Sequence, residues 1–372
     1  MKLAVLCDLL EERWFSMDLL ADMLIEQASR MSQVEVTRVR PQLPSRLAEL
    51  AVASRERSFG RWGYRAAIGV GRYLQYPLRA LVERGAHDFF HVTDHSYAHL
   101  LFELPSARTG VFCHDIDAFR PWLETRAARP ARVLAGALLA GLRRARLVFH
   151  SSLPVREDLL RHRLVQGDRL VHAPYGVAAE FQPEPRAEDS RLAGRPPFVL
   201  HVGSLIPRKN PEFLLQLVAA LCRTRPELEV YQIGGTWTSA QRTFLEAAGI
   251  ASRVHQIPHL GRPELSAYCR AAGAVILPSL AEGFGLPVVE ALACGAPVVV
   301  SDIPVLTSVG ADAVVARPPG DLDAWRVAVL EAMAGGGPSR ERRLARAAHF
   351  SWAAHARAIV QAYERLDPSA AR

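Results

Sequence analysis

A chain of 372 residues with a formal charge of +7 at pH 7 exceeds what one hydrophobic core usually supports, so two domains of ordinary size are expected. No apolar run approaches the roughly 20 residues that cross a bilayer, and the opening MKLAVLCDLLEER meets Asp8, Glu11 and Glu12 too early for a secretory signal. The basic balance favours an anionic partner, whether nucleotide phosphate or acidic lipid; nucleic acid is not expected, since no zinc-finger spacing or RNP-like aromatic motif accompanies the charge.

Lys2 to Leu6 reads as a first buried strand, Ser16 to Arg30 as a helix and Val34 to Val39 as a second strand, the start of a parallel α/β sheet. The loop Leu9 to Ser16 then lies at the carboxyl end of the first strand, where open α/β sheets bind ligands. From Arg55 to Arg84, Arg57, Arg61, Arg65, Arg72 and Arg79 are concentrated among Trp62, Tyr64, Tyr73 and Tyr76. Such a stretch suits a membrane interface or an anionic acceptor; the plainer alternative is ordinary helices that bury Ile68, Val70, Leu74 and Leu78. Phe89 to Val92 and Thr109 to Cys113 read as strands, the latter ending in His114 and Asp115 at the sheet's ligand edge. His91, His95 and His99 have helix-like spacing, but one closes a strand and the others follow a turn, so no metal site is expected. Val133 to Leu142 reads as a core helix, Leu147 to His150 and Leu170 to Ala173 as strands, and Ser151 and Ser152 as caps of a helix that includes Val155 to His162. The five cysteines (Cys7, Cys113, Cys222, Cys269, Cys294) form no Cys-x-x-Cys pair and point to reduced thiols and a cytoplasmic location.

Tyr175 to Val177 closes a first domain, residues 1–180, and the Pro- and Glu-rich residues 181–197 read as a linker. Phe198 to Val202 opens a second α/β domain, 198–350, and runs into GSLIPRKN, Gly203 to Asn210. Asn210 suits a helix N-cap with Pro211 in the first turn, which puts Arg208 and Lys209 beside a helix N-terminus, a combination that fits pyrophosphate. Val230 to Ile233 with Gly234 and Gly235, Val254 to Ile257 with His259 to Gly261, and Val298 to Ser301 are further strands. Ala274 to Leu277 is another, ended by Pro278 and Ser279; Gly283 and Gly285 then permit a tight loop and Pro287 suits the start of a helix. The N–H groups of that first turn suit a phosphate ester. Glu282 lies in the loop and Glu290 about one turn inside the helix, so the two border one ligand at different points. A molecule with hydroxyls at both ends and phosphates between them, such as a nucleotide sugar, satisfies both acids and the helix terminus. Either Glu could equally be a solvated surface residue.

The string EGFGLPVVEALACGAPVV resembles the E-x7-E signature of retaining GT-B glycosyltransferases, the family of bacterial mannosyltransferases and of sucrose and glycogen synthases. The likeness covers the whole second half, through GSLIPRKN and the HFSW of His349 to Trp352, and extends more weakly over the first. It implies two Rossmann-like parallel-sheet domains facing a cleft, with a terminal helix, 351–372, crossing back to the first. It also implies transfer of a hexose, with retention, from a GDP- or UDP-linked donor to a lipid-linked, polysaccharide or other glycan acceptor. On this resemblance Arg208 and Lys209 hold the diphosphate, Glu282 the sugar hydroxyls and Glu290 the ribose. Gly203 and the run Gly283, Phe284, Gly285 and Leu286 line the donor, the loop with His259 and Leu260 holds the base, and His114 faces the sugar. Lacking an Asp-x-Asp motif, the chain is expected to need no metal and no cofactor besides the donor. Relatives carry a glycine pair where this chain has Leu9 to Ser16, so their phosphate contact does not transfer to Ser16 or Met17. A sugar phosphorylase or epimerase of the same architecture, and a non-catalytic membrane adaptor using Arg55 to Arg84, are the alternatives. Attachment at the inner face of the plasma membrane accompanies the basic stretch as an expectation.

Overall fold

Short runs of Val, Ile, Leu and Phe with few polar interruptions pack best when covered on both faces, and parallel sheets offer that environment. In the computed structural model, which describes residues 1–12, 14–43, 61–124, 128–192, 194–196 and 198–366, these runs form two such sheets. The first comprises β1 (Lys2–Leu6), β2 (Glu35–Val39), β3 (Phe89–Val92), β4 (Thr109–Cys113), β5 (Leu147–His150) and β6 (Leu170–His172), in the order β2-β1-β3-β4-β5-β6. The second comprises β7 (Phe198–Val202), β8 (Val230–Ile233), β9 (Val254–Ile257), β10 (Ala272–Leu277), β11 (Val298–Ser301) and β12 (Val315–Arg317), in the order β12-β11-β10-β7-β8-β9. Every strand pair is parallel. The order reverses between β1 and β3 in one sheet and between β7 and β10 in the other. Crevices at such reversals, outside the carboxyl ends of the strands, are where open α/β sheets take ligands.

The chain divides into one unit of Met1–Pro174 with Trp352–Arg372 and another of Tyr175–Ser351. The first has its core around Tyr76, Phe90, Tyr97, Leu100 and Val148, the second around Phe213, Leu217, Ile276 and Trp325. The terminal helix Trp352–Glu364 belongs to the first unit, where it packs against the helix Phe15–Ala28. Its Tyr363 hydroxyl donates to the Phe90 carbonyl (2.9 Å) and accepts from His91 Nδ1 (3.1 Å). His355 Nδ1 donates to the Ala173 carbonyl at 3.1 Å. Gly110 on β4 makes room for this arrangement, since a Cβ there would collide with the Tyr363 hydroxyl.

The structure departs from the expected pattern in three places. The stretch 181–197, expected as a linker, carries a 3-10 helix, Ala187–Leu192, whose Asp189 takes a bidentate grip from Arg270 (2.5 and 2.9 Å). The helix Arg129–Arg144 buries only Ala135, Leu138, Leu139, Gly141 and Leu142, while Val133 and Leu134 are exposed. Of the basic, aromatic stretch, residues 55–60 lie outside the described residues. The rest is an α-helix Arg61–Val70, a π-helical turn Gly71–Gln75 and an α-helix Tyr76–Glu83 that follow without a break. Here most of the expected buried face turns outward: Ile68 is half-buried against Leu43 and Ala67, but Val70, Leu74 and Leu78 are exposed. Ala67, Gly71, Tyr76 and Ala80 face the protein, and Val70 (42% exposed), Leu74 (60%), Leu78 (56%) and Val82 (72%) face outward. Small residues on the inner face allow close approach: a Cβ on Gly71 would lie 2.6 Å from Leu43 Cδ2.

Tyr363→Phe keeps the ring but strips a buried carbonyl of its donor and His91 of its acceptor. We expect a loss of about 1–3 kcal/mol of unfolding free energy, read as a lower urea midpoint; an unchanged midpoint would show the bonds to be dispensable.

Candidate active site

At the carboxyl end of the second sheet three neighbouring strands carry a polar residue at one register level, His201, Gln232 and Gln256. A buried amide must find partners, and these link into a chain. Gln256 Nε2 donates to Gln232 Oε1 (2.9 Å), and Gln232 Nε2 donates to the carbonyls of Gly203 (3.0 Å) and Gly234. The backbone of Trp237 donates to Gln256 Oε1 at 3.0 Å. The loops leaving β7 and β8 are thus fixed from below. They also touch directly, since a Cβ on Gly234 (φ 101°) would stand 2.9 Å from the Gly203 oxygen. Burial, with Lys209 nearby, pushes the His201 pKa down to about 3, so that ring is neutral.

Beyond Gly203 the chain makes a 3-10 turn, Pro207–Lys209, and enters the helix Pro211–Thr224 through Asn210. Asn210 occupies the N-cap position, but its side chain caps nothing. Its backbone is left-handed (φ 58°), a conformation Asn tolerates better than most residues. The Arg208 carbonyl accepts from Leu280 N at 2.8 Å, so the loop after β7 is joined by backbone to the loop after β10, across the point where strand order reverses.

Glu282 sits at that junction. Its Oε1 accepts from Lys209 Nζ (2.5 Å) and Ser279 Oγ (2.7 Å), and its Oε2 accepts from Arg208 Nη1 (3.2 Å). The carboxylate side chain is 5% exposed, Lys209 11% and Arg208 33%. A buried carboxylate needs such partners. Glu282 is therefore the internal counter-ion of the two cations, and Arg208 presents the more open charge.

Gly285 (φ 90°) turns the loop into the helix Leu286–Ala293, and a Cβ there would meet Leu306 Cδ2 at 2.7 Å. Phe284 is buried edge-on against Tyr175 (4.9 Å) and Phe350 (5.5 Å), so its ring anchors the loop instead of lining a ligand. Gly283 and Leu286 are partly exposed beside it. Every residue from Val288 to Ala293 is buried, Glu290 included. Burial pushes the Glu290 carboxyl up to about 7; Arg262 only partly offsets this, being itself paired with Glu180 (3.3 Å). His259 is exposed and Leu260 half-buried after β9, two strand spacings, about 10 Å, from β7. The structure thus gathers Gly203, Arg208, Lys209, Glu282, Gly283 and Gly285 at one strand reversal, places Glu290 just inside the next helix and leaves His259 and Leu260 at the sheet's outer edge. The glutamine chain that steadies the glycine loops was not foreseen. Its signal is present in FVLHV, VYQI and VHQI, where a polar residue recurs at one level of three apolar strands.

His114 belongs to the first unit, after β4. Its Nε2 donates to the Thr93 carbonyl (2.7 Å), its backbone N donates to His95 Nδ1 (3.3 Å) and its ring stacks on Phe112 at 4.9 Å. Burial lowers its pKa, so it is neutral at physiological pH. Asp115 stands 3.7 Å from His95 Nε2, while His91 and His99 turn to separate partners, Tyr363 and the Arg72 carbonyl.

Residues 184–349 match the family described as Glycosyl transferases group 1. The D-inositol 3-phosphate glycosyltransferase of Paenarthrobacter aurescens is 32% identical over 193 residues, 50% of this chain and 45% of that protein. O-antigen chain mannosyltransferase B of Escherichia coli is 28% identical over 265 residues, 68% of this chain and 69% of that one. The chain thus spans about half the length of the first relative. Sucrose-phosphate synthase from Thermosynechococcus elongatus superposes with a TM-score of 0.73 over 98% of this chain and 99% of that one at 17% identity, a likeness of fold alone, and that fold is GT-B.

The Glu290 environment makes stability depend on pH. The folded carboxyl is pushed up to about 7 from its ordinary 4.5, so the fold binds the extra proton and stability falls as pH rises from about 4.5 to about 7. Glu290→Gln should match the wild type at the acid end and exceed it above neutrality by up to about 3 kcal/mol, read from denaturation midpoints across pH. Parallel curves for the two proteins would refute the assignment.

Proposed function

We propose that this chain, whose residues 184–349 match the glycosyl transferases group 1 family, transfers a hexose with retention from a GDP- or UDP-linked donor to a lipid-linked, polysaccharide or other glycan acceptor. The observation that carries this reading is the pair of cations, Arg208 and Lys209, held by the buried Glu282 where the second sheet reverses its strand order. Transfer breaks the bond between the sugar C1 and the diphosphate oxygen, and negative charge grows on the departing phosphate. Fixed cations favour that state over the bound donor, which lowers the barrier. Because Glu282 already orients both side chains, little rotamer freedom remains to be lost when the diphosphate arrives.

Glu290 accepts the ribose hydroxyls in this reading, and Glu282 turns its remaining acceptor capacity to the sugar. The loops at Gly203 and Gly283 to Leu286 approach the donor by backbone, and the His259 and Leu260 loop borders the base. The acceptor hydroxyl attacks C1 from the face the leaving group vacates, and its proton passes to the departing phosphate oxygen. Arg208 and Lys209 supply the charge that a divalent ion would otherwise bring, so we propose a metal-independent reaction. Neutral His114, held by Thr93, serves the sugar from the first unit.

We also place the chain peripherally on an anionic membrane, at the cytoplasmic face. No described helix is long and apolar enough to span a bilayer. Val70, Leu74, Leu78 and Val82 form an outward apolar stripe, with exposed Arg65, Arg79 and Arg84 on the same helical rod. An apolar stripe with basic neighbours suits the boundary between acyl chains and anionic headgroups.

Arg208→Ala and Lys209→Ala should each fold normally and lose about 10²–10³-fold in kcat, measured by release of nucleoside diphosphate, while chelation of divalent ions leaves the wild type active. Near-normal turnover in both variants would sink the reading. In flotation with phosphatidylglycerol vesicles, Leu74→Glu with Leu78→Glu should abolish co-migration without altering turnover of a soluble acceptor. Unchanged flotation would exclude this face as the membrane contact.

A further inference from the structure

The glutamine chain of the second sheet has two fixed ends. The Trp237 N–H can only donate, and the carbonyls of Gly203 and Gly234 can only accept. The orientation of both side-chain amides follows from them: Gln256 accepts at Oε1 and donates at Nε2, and Gln232 does the same. Gln232 is buried, so its amide has no water to turn to instead.

A trans peptide points its C=O and the following N–H to opposite sides, and no peptide among the described residues is cis. Gln232 draws the Gly203 and Gly234 carbonyls to itself, so the N–H groups of Ser204 and Gly235 point away from it. Neither N–H has a partner among the described residues, whereas the Gly203 and Gly234 N–H groups are spent on the Ile233 and Ile257 carbonyls (2.8 and 2.9 Å). Ser204 is exposed and Gly235 half-buried, so neither is sealed from solvent. The two loops lie side by side: a Cβ on Gly235 (φ 78°) would stand 3.2 Å from Leu205 N and 3.6 Å from Ser204 Cα. Lys209 adjoins them, since its Cδ and the His201 ring would lie 3.8 and 3.6 Å from a Cβ on Gly203. That imidazole is neutral and adds no charge beside the lysine.

We propose that Gln232 is a positioning residue: through the Gly203 and Gly234 carbonyls it aims the Ser204 and Gly235 N–H groups at one anionic oxygen of the donor's diphosphate, next to Lys209. The inference rests on the transferase reading and adds to it a residue that shapes the site without touching the ligand. Two N–H groups set on one oxygen bind an anion better than a neutral acceptor. They also need no reorientation as charge grows on the departing phosphate, because Gln256 holds Gln232 in place. An apolar side chain at 232 would leave both carbonyls unpaired, and either peptide could then turn over and present an oxygen to the ligand in place of its N–H.

The test uses the full chain, with UDP, GDP and inorganic pyrophosphate as probes and amide NMR and calorimetry as readouts. In the wild type the Ser204 and Gly235 amide protons should move downfield on saturation with pyrophosphate or with a nucleoside diphosphate, while uridine and guanosine leave them in place. Gln232→Met, of similar length but without an amide, should lose those shifts and about tenfold in diphosphate affinity, yet bind the matching nucleoside like the wild type. Wild-type amides that stay in place with all three probes would overturn the proposal without needing a variant. So would a Gln232→Met protein that loses stability but keeps its diphosphate affinity, or one that loses nucleoside and diphosphate affinity alike. Failure of UDP and GDP to bind, with the pyrophosphate shifts intact, would sink the transferase reading alone.

Discussion

The second unit's site depends on one interaction, the burial of the Glu282 carboxylate beneath Lys209 and Arg208. Lone cations on adjacent loop residues would splay into solvent, and a lone carboxylate at that depth would be expelled or protonated. Together they are compatible with burial, and the backbone bond from Leu280 to the Arg208 carbonyl keeps the two loops in register while they pair. The arrangement is specific because it is costly to break: removing either partner leaves a desolvated charge behind. The glutamine chain under Gly203 and Gly234 extends the same logic downward, fixing backbone by amide bonds where the glycines above leave no side chain to do so.

The two sheets share a strand-order device and follow it with residues of opposite character. Where β7 and β10 diverge, the chain supplies two cations around a satisfied carboxylate. Where β1 and β3 diverge, Asp8 and Asp94 follow the strands, and Arg72 is paired with Glu12 at 3.1 Å. In both places the apolar strands set only position; the chemical character comes from the few residues that follow them. This is why fold similarity to sucrose-phosphate synthase, at 17% identity, carries no information about what either end would hold.

Much of this was legible in the chain. Nearly every strand is a compact apolar run bounded by Gly, Pro or a polar residue, and the EGFGLPVVEALACGA string names its own loop, its left-handed Gly285 and its helix start. Three features were not legible, each for a physical reason. β12 is three half-buried residues, VAR, too short and too polar at an edge for periodicity to register. The outward turn of Val70, Leu74 and Leu78 is invisible to pattern, because apolar residues at helical spacing read as a buried face; the inner face is made by Ala67, Gly71 and Ala80, whose smallness gives no hydropathic signal. The inward turn of Glu282 was hidden because its partners lie 73 and 74 residues away, and a long-range ion pair leaves no trace in local spacing.

Glu290 differs from Glu282 in the partners it has within the protein. Glu282 has its donors built in, from Lys209, Ser279 and Arg208. Glu290 sits in the part of its helix, Val288 to Ala293, where every residue is buried, with its moderating cation Arg262 already paired to Glu180, so its charge is withheld near neutral pH. A vicinal diol placed against it would offer the two donors that the protein does not, and a carboxylate that accepts hydrogen bonds is favoured over the acid. Binding would then ionise Glu290 and release a proton, so affinity for a ribose-bearing ligand would tighten as pH rises through about 7. Of the two glutamates in the motif, one braces the cations from within the protein, and the other would have its charge completed by the ligand proposed for it.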